Sequence, residues 1–195
     1  MHYLAFLLLI MSSCNLAATS SEYSLKPVLH KTFEKLSSVV KHSIKNEDTK
    51  IEIQSFDIAQ TFSLINRGKQ KGFFIPIKFN SKQYNNTICR LYFVDADMQS
   101  KQINLLAENS EDGEIVLSCI GIESLSIKKT DANSLLVLSI VRYRLANQYS
   151  SVGKVVSFES EAQNNLFGLN GCIGLHNNIS NMQELKRKTD ACQSR

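Results

Sequence analysis

The fragment Asn170 to His176, NGCIGLH, sets a thiol and an imidazole four residues apart, the two groups that nucleophilic catalysis by cysteine requires. Such catalysis also needs a third group to orient the imidazole, and the local sequence marks none. Cys172 has a stronger claim elsewhere. With Cys89, Cys119 and Cys192 it makes an even set of four, the pattern of an exported chain whose thiols are oxidised. None of these lies in a Cys-x-x-Cys or in a Cys/His spacing that suits zinc, so structural bridges are expected and a metal site is not. Of the possible pairings, Cys89 with Cys119 and Cys172 with Cys192 are expected. The first two lie in segments that can be sheet neighbours, and the last two bracket an irregular, glycine-bearing unit that a bridge would brace.

Other chemistry is thinly represented. Asp95-Ala96-Asp97, with Gln99 and Ser100, offers oxygens to calcium, but Ser100 and Leu106 stand where an EF-hand loop needs its glycine and its bidentate glutamate. A turn is expected there. Glu159 and Glu161 could serve as acid and base only across a cleft, and solvated charges are the simpler reading. There is no G-x-S-x-G, H-E-x-x-H, Walker loop or G-x-G-x-x-G, and no cofactor is expected. Two sequons, Asn85-Asn86-Thr87 and Asn178-Ile179-Ser180, would matter in a eukaryotic secretory route.

Tyr3 to Met11 is a nearly unbroken apolar run, too short for the ~20 residues of a membrane-spanning helix, followed by the small residues Ser12, Ser13, Ala17, Ala18 and Ser20. It reads as a signal-peptide core. Met11-Ser12-Ser13-Cys14 resembles the lipobox of bacterial lipoproteins, which implies that Cys14 is lipidated and becomes the first residue of the mature chain. Met11 replaces the usual leucine, and the n-region offers only His2 and the α-amino group. Ordinary cleavage between Ala17 and Ser21, which discards Cys14, and an uncleaved anchor are the rival fates. All three place the domain outside the cytosol. Asn15 is not aspartate, so the resemblance implies an outer-membrane lipoprotein facing the periplasm, with a soluble periplasmic or secreted protein as the alternative.

The elements beyond residue 20 alternate in period. Leu25, Val28, Leu29, Phe33, Leu36, Val40 and Ile44 recur at helical spacing, with Lys31, Lys35, Lys41 and Lys45 elsewhere, so an amphipathic helix is expected from Lys26 to Lys45. Phe56, Ile58, Phe62 and Leu64 then suggest one strand and Phe73, Ile75, Ile77 and Phe79 the next, where Pro76 implies an edge or a bulge. Cys89, Leu91 and Phe93 alternate in a third, and Gln102 to Ala107 resembles a short fourth. Ser134 to Leu145 is apolar on both faces in its first half, as a central, doubly covered strand would be, and exposes Arg142 and Arg144 in its second. Asn147 to Gly153 suggests a loop, Lys154 to Ser160 a final strand, and Ser180 the cap of a closing helix with Gln183 in the capping box. The fold class is therefore α+β: an N-terminal amphipathic helix packed on an antiparallel β-meander of about 6–7 strands, with a short C-terminal helix and disulfide bracing. The expected domains are a signal segment over 1–20, with its possible lipobox ending at Cys14, and one globular domain over 21–195.

Net charge is +4, too mild and too dispersed for a nucleic-acid footprint. Two basic groups stand out: Arg67, Lys69 and Lys71 in the hairpin NRGKQKG, Asn66 to Gly72, and Arg142 with Arg144. Solvated charges keep a β-edge from pairing with neighbours, and the same five charges are expected to form one patch that suits a protein partner with an acidic surface. Two functions follow. The first is an exported, non-enzymatic binding protein of the bacterial cell envelope, such as an inhibitor or immunity-type factor acting by surface complementarity. The second is an exported hydrolase with an unrecognised active site.

Overall fold

The computed structural model describes residues 23–47, 51–82, 86–103, 118–130, 135–145, 148–158, 172–173 and 178–194. Nine strands and two helices are defined among them: β1 Tyr23–Pro27, α1 His30–Glu47, β2 Ile51–Phe56, β3 Phe62–Asn66, β4 Lys69–Ser81, β5 Asn86–Asp95, β6 Ser100–Ile103, β7 Ser118–Lys129, β8 Leu135–Leu145, β9 Gln148–Ser157 and α2 Met182–Gln193. The chain is mostly antiparallel sheet with two helices and two disulfides among the described residues.

Alternation along the central strands sets the layering, because successive side chains of a strand point to opposite faces. In β4 and β5, Phe73, Ile75, Ile77, Phe79, Tyr92 and Val94 form one face, against which the α1 stripe Leu36, Val40 and Ile44 is buried. The opposite face, Phe74, Cys89, Leu91 and Phe93, packs on Cys119, Ile122, Leu135, Val137, Val141, Tyr143 and Val152 of a second sheet. The far side of that sheet, Leu136, Leu138, Ile140 and Val155, is covered by Ile179 and by Leu185 of α2. The layers therefore run helix, sheet, sheet, helix. Each fully buried aliphatic side chain in them contributes about 1.5–3 kcal/mol, and the β8 residues on either face are the ones sealed on both sides.

The single meander expected from the sequence is replaced by two sheets. One has six strands in the order β1-β3-β4-β5-β6, with β2 also pairing β4; the other is β7-β8-β9. The helix starts at His30 rather than Lys26, and β1 precedes it. Tyr23 and Leu25 alternate onto the inter-sheet core while Leu29, assigned to the helical stripe by spacing, is 78% exposed. The expected strand through Phe56 to Leu64 is two strands broken by a turn, in which the Asp57 carboxylate accepts from the Gln60 N–H at 3.1 Å and Thr61 Oγ1 donates to the Asp57 carbonyl at 2.6 Å.

That break explains Pro76, which is neither on an edge nor in a bulge of the β4–β5 ladder, where it pairs with Leu91. β3 ends opposite Phe74 and β2 begins opposite Ile77, so the missing N–H of Pro76 falls in the gap between them. Its carbonyl still accepts from the Asp57 N–H at 3.1 Å on that side. Of the loop expected over Asn147 to Gly153, the described residues from Gln148 onward are instead the first half of β9, held in continuous register from Leu145↔Gln148 to Leu136↔Ser157. The cap of α2 moves by one residue: Asn181 Oδ1 accepts from the Glu184 N–H at 2.9 Å, and the Glu184 carboxylate reaches back to the Ser180 N–H at 2.9 Å. β6 covers Ser100–Ile103 of the strand expected at Gln102 to Ala107; residues 104–107 lie outside the described residues.

Candidate functional site

Oxidation removes the most tempting nucleophile. Cys172 is bonded to Cys192 and Cys89 to Cys119, with Cα–Cα distances of 5.9 and 5.7 Å, the pairs expected from the sequence. His176, Glu159, Glu161, Asn85 and the leader with Cys14 lie outside the described residues.

The first basic group sits on a tight hairpin. Arg67 and Gly68 hold φ of 48° and 75°, the left-handed pair of a two-residue turn whose twist matches its strands. The expected seven-residue loop is thus mostly strand. Lys71 is the extra residue where the β3–β4 register shifts, since Leu64 faces Gly72 and Ile65 faces Gln70. The β4–β5 ladder ends at Gly72↔Asp95, so Lys69, Gln70 and Lys71, all exposed, project beyond β5 by about 10 Å. Gly72 is required where the hairpin leaves the core, because a Cβ there would lie 2.3 Å from Phe93 Cζ and 2.4 Å from the Val94 carbonyl oxygen.

The second group lies on the outer face of the β7-β8-β9 sheet. Arg142 Nη1 donates to Glu123 Oε1 at 3.1 Å, and Ser151 Oγ donates to Glu123 Oε2 at 3.0 Å, so both carboxylate oxygens are engaged. The Arg142 guanidinium also lies 5.2 Å from the centroid of the Tyr149 ring, which is 56% exposed. Arg144 is exposed on the same strand. Backbone bonds hold this corner in place: the Ser151 N–H donates to Asn178 Oδ1 at 3.0 Å and the Ile179 N–H to the Ser151 carbonyl at 2.8 Å. In sequence the run Asn147 to Gly153 reads as a loop, which gives no sign of Tyr149.

These groups do not form one patch. Tyr143, between Arg142 and Arg144, faces Cys119, whose disulfide partner Cys89 faces Lys78 far down β4. At the other end of β8, the Phe158 N–H donates to the Leu135 carbonyl, and the Phe158 ring contacts Phe74 and Phe93 near the hairpin at 5.5 and 4.4 Å. Leu135 and Arg144 are ~30 Å apart along an extended strand. The hairpin tip and the arginine–tyrosine corner therefore occupy opposite ends of the sandwich.

Two further places bear on chemistry. Lys154 and Ser139 face each other across β8 and β9 on the inter-sheet side, both buried, with Ser139 Oγ 3.5 Å from the Lys154 carbonyl that it donates to. Burial brings the Lys154 ammonium down to about 8, and burial also raises the Tyr143 phenol on the same face. The Tyr143 hydroxyl is buried without a hydrogen-bond partner among the described residues. A groove of about 770 Å³ runs between α1 and the β5–β6 turn, lined by Lys35, Val39 and His42 and by Met98, Gln99 and Ser100. The turn is the one expected at Asp95–Asp97: Asp95 Oδ1 accepts from the Asp97 and Gln99 N–H groups at 2.9 and 2.8 Å. Among the described residues, no three metal-ligating side chains converge.

Compared with family models, curated proteins and solved structures, the chain matches none of them.

Proposed function

We propose that the chain is an exported, non-enzymatic binding protein of the bacterial cell envelope, of the inhibitor or immunity type, tethered through a lipidated Cys14. The contact surface is the arginine–tyrosine corner of the β7-β8-β9 sheet, and the partner presents an acidic surface to Arg144. One observation carries this reading: an exposed Tyr149 ring is held under a guanidinium that Glu123 fixes from the other side. Arginine and tyrosine dominate binding hot spots, and a pair ordered before the partner arrives loses little side-chain entropy on binding. The two disulfides support an oxidising compartment.

The test is co-purification from envelope extracts with the full chain, followed by association kinetics with the protein retained. Tyr149→Ala with Arg144→Glu is expected to slow association at low salt, with a smaller difference at high salt, while leaving thermal stability unchanged. Equal association of variant and wild type at both salts would remove this surface. Fractionation checks the tether: Cys14→Ser should release the protein from membranes or block its processing.

The alternative, an exported hydrolase, draws on Ser139 and Lys154, since a serine beside a lysine of lowered pKa has the composition of a serine–lysine nucleophile pair. Ser139 Oγ is directed at a backbone carbonyl and is fully buried, which a nucleophile awaiting substrate would not be. Turnover of an ester or peptide that is lost in Ser139→Ala would reverse the preference.

A further inference from the structure

The register of β1 says where the chain enters the fold. Tyr23 pairs with Asn66, the residue immediately before the Arg67–Gly68 turn, so everything N-terminal to Tyr23 joins the domain beside the hairpin tip. Eight residues, 15–22, separate Cys14 from that point. Even fully extended they span at most ~30 Å. A bilayer that holds a lipid on Cys14 is thus kept within that reach of the tip, whatever path the tether takes.

We infer that the β3–β4 hairpin tip is a membrane-contact element, in which Lys69 and Lys71, with Arg67 at the turn, meet anionic phospholipid headgroups. The inference rests on the Cys14 tether proposed above for its geometry, but the tip's charge and exposure stand without it. Lys69, Gln70 and Lys71 are exposed and extend past the last β4–β5 pair, so the hairpin presents them at the end of the first sheet. The tight turn holds the cations in a fixed position, and a surface-bound cation near an anionic bilayer contributes only inside a Debye length of ~8–10 Å. Acidic neighbours exist at this end: Asp97 is exposed, and Asp95 is half-buried with one oxygen engaged by the turn. Asp95 sits at the Gly72 level and Asp97 in the turn just past it, so the three cations of the hairpin outnumber these two carboxylates.

The arrangement gives the protein an orientation. A lipid chain with a basic patch anchors more firmly than a single acyl chain alone, and it also fixes which way the domain faces. With the hairpin on the bilayer, the Arg144 and Tyr149 end points away from it, toward partners in the aqueous compartment. This accounts for two basic groups at opposite ends of one domain.

The experiment uses the exported full chain and two kinds of vesicle, phosphatidylglycerol mixed with phosphatidylcholine, and phosphatidylcholine alone. Each lysine near an anionic surface is worth roughly fivefold in partition, so Lys69→Gln/Lys71→Gln should lower binding to the anionic vesicles roughly 25-fold. Arg144→Gln should leave it unchanged, and Lys69→Arg/Lys71→Arg should retain it, which separates charge from misfolding. High salt should erase the difference. Binding to anionic vesicles but not to phosphatidylcholine, with the same dependence on the tip, would defeat the Cys14 tether while supporting the tip contact. Equal partition of the wild type and the glutamine variant into anionic vesicles would overturn the inference. So would a glutamine variant that loses only an acidic protein partner and keeps its vesicle binding.

Discussion

Replacing Lys154 by methionine should stabilise the protein. The Lys154 side chain is 7% exposed between Val152 and Val156 on the inter-sheet side, and burial lowers its pKa from 10.5 to about 8. At ~1.4 kcal/mol per pKa unit, keeping the amine charged in the folded state at neutral pH costs about 3 kcal/mol. Methionine matches the length of the stem without the charge, so Lys154→Met should recover most of that, a rise of roughly 5–10 °C in Tm for a chain of this size. The pH dependence follows from the sign of the shift. Between the folded and unfolded pKa values the unfolded chain binds the extra proton, so stability rises as pH increases from about 8 toward 10.5, and below 8 the folded state bears the whole cost. Tyr143 acts oppositely: its raised phenol stays neutral in the fold while the unfolded phenol ionises, so stability falls again above about 10. Urea denaturation of wild type and variant across this range checks both limbs. A variant less stable than wild type at neutral pH, with no alkaline rise in the wild type, would refute the reasoning and show that the amine gains a favourable partner.

Three further outcomes are expected. Reducing or deleting the Cys172–Cys192 bridge, which closes a loop of 20 residues, should cost about 3 kcal/mol in urea denaturation; an unchanged midpoint would mean that the unfolded chain is already compact there. Gly72→Ala should destabilise by ~2–4 kcal/mol, because the new methyl meets Phe93 Cζ and the Val94 carbonyl and the residue holds φ of 156°; a neutral midpoint would show that β4 shifts freely against β5. The Glu184 carboxyl is held down to about 2 by its bonds from the Ser180 N–H and hydroxyl, then by Lys188. Its contribution to capping α2 is present above the ordinary value of 4.5 and is lost as pH falls toward 2, so Glu184→Gln should flatten the acid limb of the melting curve.

How much of this was legible depended on whether the deciding contact was local. The stripe Leu36, Val40 and Ile44 and the two-faced run of β8 follow from periodicity, which a single segment carries. Both disulfide pairs were legible, Cys172 and Cys192 because they bracket the glycine-bearing unit, whereas Cys89 and Cys119, expected in neighbouring strands, join the two sheets instead. Leu25 fits a helical stripe by spacing, while its actual partner, Leu64, is far along the chain, so β1 has no local signature. The ordinary cost of a missing N–H in a central strand points to an edge or a bulge for Pro76. Only the handover from β3 to β2 along β4 removes that cost, and no local pattern announces it. Tyr149 sits among serines whose polarity suggests a loop, yet strand pairing with β8 holds them extended.

The basic residues carry the sharpest form of this difference. Residue type alone groups Arg67, Lys69 and Lys71 with Arg142 and Arg144, and a surface patch is the natural expectation. Their separation is decided by two long-range links, the Cys89–Cys119 bridge and the packing of Phe158 on Phe74 and Phe93, which pin opposite ends of the second sheet to opposite ends of the first. Arg142 is then spent on Glu123 and Tyr149, while Lys69 and Lys71 stand on an exposed turn beside the strand where the chain enters the fold. Charges that look equivalent in sequence thus meet different surroundings, one set ordered against an aromatic ring and the other presented to solvent. A charge-reversal experiment that treated them as one patch would mix two effects, so the tip and the corner have to be varied separately.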